Sequence, residues 1–198
     1  MPDLKFDANG KYYKCFPQQN KMSCGVACIR MVNHYLTGKD IGAAVVRHYV
    51  GLVERPEARP AMRGGVVPQA TAHNFETTGI SLTTAAKALH SLRPPRLWHL
   101  ETQAHLDVMK TASPTNPMLV SLKGVQGFWH LMVAVDTIKG GGGAVEEVVV
   151  VDPGGPTIRG RSQGRIGTVD AEFGIYDIGG SRNYAGIVAA IHMRNGAR

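Results

Sequence analysis

Apolar residues first recur at helical spacing from residue 24. Cys24, Ala27, Cys28, Met31, Val32 and Tyr35 fall three or four apart, which predicts an amphipathic helix. Ser23 is placed to cap its start and Gly38 to stop it. A second helix is expected to open at Asp40 and to carry Ile41, Ala44, Val45, His48 and Tyr49. Residues 54–68 hold three prolines and Gly64-Gly65, so a surface loop is predicted there, followed by short helices near 69–77 and 82–92. Residues 1–17 show no period and read as irregular.

Past Pro94-Pro95 the pattern changes. A short strand over 96–100, a helix over 104–111 and strands over 118–122, 130–138, 145–152 and 184–193 are predicted, with Gly140–Gly143 as a hairpin tip. Helices come first and an antiparallel sheet second, an α+β layout. The chain of 198 residues suits a single domain spanning 1–198.

Composition narrows the picture by exclusion. With 43% hydrophobic residues and an ordinary charge content, disorder is not the dominant state. No apolar stretch approaches the ~20 residues a bilayer needs, so no membrane span is expected. The first residues lack the apolar core of a secretory signal, so the chain is expected to be cytoplasmic as synthesised. A net charge of +7 favours acidic partners, but the densest basic stretch is only Arg159-Gly160-Arg161 followed by Arg165, without interleaved aromatics. Nucleic acid is therefore a disfavoured partner. Three cysteines, Cys15, Cys24 and Cys28, make neither a disulfide framework nor a paired zinc motif. Free thiols and no metal or cofactor are expected.

The chemistry lies in the glycine-tipped hairpin. With its turn centred on Gly141, Met132 faces Val150, Ala134 faces Val148 and His130 faces Asp152. Facing residues are close enough for an imidazole–carboxylate hydrogen bond, which leaves the second ring nitrogen for a nucleophile. Cys24, in the first turn of its helix, is that nucleophile, because the helix dipole lowers a thiol pKa there. Gln18 offers an amide donor for an oxyanion, and Gly25 leaves room for a substrate backbone. Together these residues are the set that acyl transfer requires.

The stretch Gln18-Gln19-Asn20-Lys21-Met22-Ser23-Cys24-Gly25-Val26-Ala27-Cys28 resembles the catalytic motif of the bacteriocin-processing peptidases, papain-like domains that cut leader peptides after a double glycine. Trp129-His130 opening a strand and Asp152-Pro153 closing the next agree with that family's later blocks. The resemblance spans roughly residues 15–155. It implies Cys24 as nucleophile, His130 as base, Asp152 as the group orienting it, Gln18 in the oxyanion hole and Trp129 shielding the ion pair or walling the substrate groove. Ser23 stands where the family usually has Asp. Without transporter segments the chain looks more like a stand-alone effector or toxin protease that bacteria deliver into other cells, with a protein or peptide substrate and an acidic immunity or inhibitor protein as a partner.

Three other readings remain open. The same triad runs glutamine deamidation or transglutamination, a catalytically silent binding module keeps the fold, and a nucleic-acid binder accounts for the charge. Taken singly, Cys24 on an apolar helix face, His130 at a strand start and Asp152-Pro153 at a turn are each ordinary structural features. Cys28, one turn on from Cys24, is expected in the core. His34, His48, His90 and His192 read as packed or surface histidines, His99 and His105 lack ligand spacing, and Gly64-Gly65 reads as a loop pair.

Overall fold

The computed structural model describes residues 2–7, 9–19, 23–54, 80–92, 98–101, 106–124, 129–159, 161–178 and 181–193. The expected loop over 54–68, the helix over 69–77, Pro94-Pro95 and His105 lie outside these residues, apart from Glu54 at a helix end. Elements run β1 (Asp3–Phe6), β2 (Tyr12–Cys15), α1 (Cys24–Thr37), α2 (Gly42–Glu54), α3 (Leu82–Leu92), β3 (Trp98–Glu101), α4 (Leu106–Met109), β4 (Met118–Gly124), β5 (Trp129–Lys139), β6 (Val145–Asp152), β7 (Thr157–Ile158), β8 (Arg161–Ser162), β9 (Arg165–Asp170), β10 (Tyr176–Ile178) and β11 (Ser181–Met193). Helix and antiparallel sheet are thus mixed, as an α+β layout requires, with the β1–β2 hairpin preceding the helices. Among the described residues no helix is long and apolar enough to cross a membrane.

Helix α1 forms where the period predicted it. Ile29, Met31 and Val32 are fully buried, each contributing about 1.5–3 kcal/mol of burial. Gly38 closes the helix with φ 69°, and its N–H reaches the His34 carbonyl at 2.7 Å. Ser23 does not cap with its side chain. Its Oγ instead accepts the Gln19 N–H at 2.9 Å, which holds the approach to the helix.

The amino end is ordered, against expectation. β1 and β2 form a hairpin in which Gly10, at φ 78°, supplies the left-handed residue, and Asp7 Oδ1 accepts the Asn9 and Lys11 N–H groups. The Asn9-Gly10 pair was the available signal. This hairpin buries Tyr13 and Cys15 against the sheet.

Seven strands run in the order β10-β9-β6-β5-β4-β11-β3, and β10 also pairs with β11. That extra pairing closes six of them into a ring. Alternation then separates two cores. Met118, Val120, Met132, Ala134, Val148, Val150 and Tyr176 pack inside the ring, whereas Leu119, Leu131, Val133, Val149 and Val151 pack outward on the helices.

The hairpin register differs from the expectation. Ala134 pairs with Val150 and Val133 with Val151, which aligns Asp152 with Met132 and places His130 diagonally across from it. The turn is centred on Gly142, with the Gly140 N–H on the Ala144 carbonyl, and two irregularities, between Ala134 and Asp136 and between Ile138 and Lys139, cancel one another. Moving a turn centre by one residue slides the register by two. An even slide keeps each side chain on its face, so His130 and Asp152 still share one.

Candidate active site

Cys24, His130 and Asp152 meet at one mouth of the ring. His130 Nε2 lies 2.5 Å from Asp152 Oδ1. Long side chains at diagonal strand positions reach one another, which is how the pair survives the shifted register. The ring's other nitrogen, Nδ1, is left for the Cys24 thiol, with which His130 is hydrogen-bonded.

Helix α1 delivers Cys24 by docking on the free edge of β5. The pairing of β5 with β6 stops at Val133, so the Leu131 backbone has no strand partner on that side. Leu131 uses it to hold two cysteines: its backbone hydrogen-bonds the Cys24 sulfur, and its carbonyl accepts from Cys28 Sγ at 3.2 Å. Cys28 is fully buried, and burial raises its thiol pKa far above the ordinary value. It is a packing residue, as expected. All three cysteines are free.

The electrostatics agree with the geometry. Burial pushes the Cys24 thiol up, but the hydrogen bond and charge of His130, with the backbone of Leu131 and Gly25, bring it below its usual value. Burial pushes His130 down, yet its hydrogen bonds to Asp152 and Cys24 raise it to about 9. Asp152 is wholly buried, which favours its neutral form. Hydrogen bonding to His130, and then the charges of His130 and Arg165, hold its pKa at about 2. Lowered thiol and raised imidazole together describe a thiolate–imidazolium pair.

Asp152 has more partners than the sequence suggested. Oδ1 also accepts the Gly154 N–H at 2.7 Å, while Oδ2 accepts Arg165 Nε at 2.8 Å and the Tyr176 hydroxyl at 3.1 Å. Arg165 and Tyr176 were missed. The Arg165 side chain, a quarter exposed, sits directly across β9 from Asp152, although the sequence showed it only as the end of a basic stretch. Tyr176 reaches in because Gly167 has no side chain: a Cβ there would stand 2.6 Å from the tyrosine ring. β9 carries no strand alternation, since its apolar residues Ile166 and Val169 stand three apart.

Gln18 lies at the same mouth. Its backbone N–H donates to the Pro153 carbonyl at 2.9 Å, tying the approach to α1 to the end of β6. Its side-chain Oε1 is buried and makes no hydrogen bond among the described residues.

Gly25 is placed differently from the expectation, and of the two roles expected of Trp129 the shielding one falls away. Gly25 is buried beneath the protein's own side chains: a Cβ would stand 2.3 Å from Ile80 Cγ1 and 3.2 Å from Leu131 Cδ1. Its missing side chain makes room for Ile80 rather than for a substrate. Trp129 is 57% exposed and, one residue from His130 along the strand, faces away from the ion pair. It does not shield that pair; Arg165, Tyr176 and the Gly154 turn enclose the carboxylate instead.

Among the described residues no group of three or more His, Cys, Asp or Glu side chains is arranged to hold a metal. No family model matches the chain and no curated protein matches it, so the chemistry of the site is read from its own residues.

Proposed function

We propose that the chain is a papain-like cysteine peptidase acting on a protein or peptide substrate. One observation carries this: a half-buried thiol at the start of a helix is hydrogen-bonded to an imidazole whose far nitrogen is held by a buried carboxylate. A thiol lowered and an imidazole raised by each other have little structural use, and they are what nucleophilic attack on a carbonyl needs.

In this mechanism the Cys24 thiolate forms a C–S bond to the scissile carbonyl, and the C=O electron pair moves onto oxygen. The Cys24 backbone N–H and the Gln18 amide stabilise that oxyanion. As the C–N bond breaks, imidazolium His130 gives its Nδ1 proton to the leaving amine. Water then attacks the thioester carbon, losing a proton to His130, and the C–S bond breaks to release the acid and restore the Cys24 thiolate beside imidazolium His130. Asp152 keeps Nε2 protonated and the ring in plane throughout. A preference for small residues such as Gly-Gly before the cleaved bond rests on the resemblance of residues 18–28 to double-glycine leader peptidases.

The test compares the wild type with Cys24→Ala, each expressed in a bacterium, by whole-proteome mapping of protein N-termini. New termini after small residues in the wild type alone are expected. If none arise while Cys24 remains hyper-reactive and glutamines in target proteins gain one dalton, the same triad is a deamidase. No new termini and an ordinary Cys24 overturn the enzymatic reading.

A further inference from the structure

The basic stretch flagged in the sequence divides in the fold. Arg165 turns inward to Asp152, and Arg159 and Arg161 do not follow it. Beyond the Asp152–Arg165 pair the chain continues as a narrow hairpin, with the Gln163 N–H on the Pro156 carbonyl, Thr157 paired with Ser162 and Ile158 with Arg161. This hairpin therefore projects from the end of the sheet at which β5 begins with Trp129 and His130.

Its base is fastened to the catalytic mouth. Ser162 Oγ donates to the Pro153 carbonyl at 2.9 Å, the same carbonyl that accepts Gln18. Gly164, at φ 60°, sits so close to Cys15 that a Cβ would stand 2.4 Å from its sulfur. Gly155, at φ 106°, packs on Gly164, whose backbone would stand 3.1 Å from a Cβ there.

The tip is open. Thr157, Ile158, Arg159 and Arg161 are all exposed, Ile158 at 58%. Residues 153–164 contain no Asp or Glu, and among the described residues no carboxylate pairs with Arg159 or Arg161. Arg159 is also the one non-glycine residue with positive φ among those described, at 50°. Glycine adopts that conformation without the steric cost an arginine bears there. An arginine kept at a turn position suited to glycine points to a use for its side chain.

We infer that the β7–β8 hairpin is a recognition finger for an acidic segment of the protein substrate, flanking the bond to be cleaved. This rests on the peptidase reading above and names its substrate class. Two guanidiniums offer forked donors to carboxylates, and Ile158, with exposed Trp129 at the same end of the sheet, takes apolar neighbours of those acids.

The test uses two chloromethyl ketone peptides ending in Gly-Gly, one carrying three Glu residues and the other three Lys. The rate at which each alkylates Cys24 is followed by mass spectrometry, and the ratio of the two rates is read so that general changes in reactivity cancel. In low salt the wild type should prefer the acidic probe by about threefold to tenfold, with the preference shrinking in 0.5 M salt as exposed pairs are screened. In Arg159→Gly/Arg161→Gln the ratio should fall toward one. Glycine suits the turn, so a thermal melt at or above that of the wild type shows that the hairpin persists. Equal rates in the wild type, a preference that survives in the double variant, or displacement of the acidic probe by equimolar single-stranded DNA overturns the finger. Failure of the reading beneath it looks different: with no activated thiol, iodoacetamide labels Cys24 no faster than Cys15 or Cys28, and with a deamidase Cys24 stays reactive while target glutamines gain one dalton and no new N-termini arise.

Discussion

Asp152 and Arg165 stand directly opposite one another on β6 and β9, and Arg165 Nε donates to Asp152 Oδ2 at 2.8 Å. The two oxygens of this buried carboxylate are thereby divided. Oδ1 serves His130 and the Gly154 N–H; Oδ2 serves Arg165 and Tyr176. An unaccompanied carboxylate in such a site would protonate instead of holding an imidazole. His130 first, and the cross-strand arginine after it, keep the carboxylate anionic.

Removing that partner should therefore cost both stability and turnover. Arg165→Gln leaves a buried charge with one of its two cationic partners gone, a loss of about 2–4 kcal/mol, at the lower end for buried pairs because the guanidinium is partly exposed. Arg165→Lys should recover the charge but not the Nε geometry, and so fall between. Tyr176→Phe should cost only about 1 kcal/mol. Denaturant midpoints read alongside kcat/KM check the ranking.

Charge on Asp152 itself should matter more to chemistry than its volume. Asp152→Asn keeps the shape, loses the fixed tautomer of His130 and leaves Arg165 uncompensated, so kcat should drop on the order of 10²–10⁴-fold. Single-turnover hydrolysis of a thioester substrate measures this; an unchanged rate would remove Asp152 from the mechanism.

The pH dependence follows from the two shifts. The imidazolium persists to about 9, so the alkaline limb of kcat/KM should fall there and not near the ordinary ~6.5. Stability contributed by protonated His130 is complete below ~6.5 and is lost as the pH rises through about 9. That from Asp152 is present above ~4 and is lost as the pH falls toward about 2. Melting temperature should consequently decline at both extremes, and in Asp152→Asn the acid decline should shrink.

Gly25 separates packing from substrate contact. Gly25→Ala presses a methyl group on Ile80 and should cost about 1–3 kcal/mol while displacing neighbouring Cys24. Ile80→Ala in the same chain should restore most of the stability and the rate of Cys24 alkylation. No rescue would mean that the glycine serves something other than Ile80.

The site was legible where chemistry follows local order. Cys24 stands at the first turn of a helix visible from its period, and His130 and Asp152 end the two arms of a hairpin visible from its glycines. What escaped was register. A turn centred one residue later moved Asp152 opposite Met132, the shifts after Ala134 and after Ile138 cancelling, and only an even slide preserved the contact. The amino-terminal hairpin escaped because its strands are only four residues long, and in β2 the outward Tyr12 beside the buried Tyr13 breaks the alternation.

The sequence alone determined helix α1, strands β5 and β6, and the order of thiol, imidazole and carboxylate, because period, capping glycines and turn residues act within a few positions of one another. Tertiary structure decided the rest. Closure of the ring through β10 and β11 brings Tyr176 to Asp152, pairing with β9 turns one arginine of a basic stretch inward while two remain outside, and the path to α3 lays Ile80 on Gly25. Each of these joins segments distant along the chain, and no local pattern encodes which buried group will meet which charge.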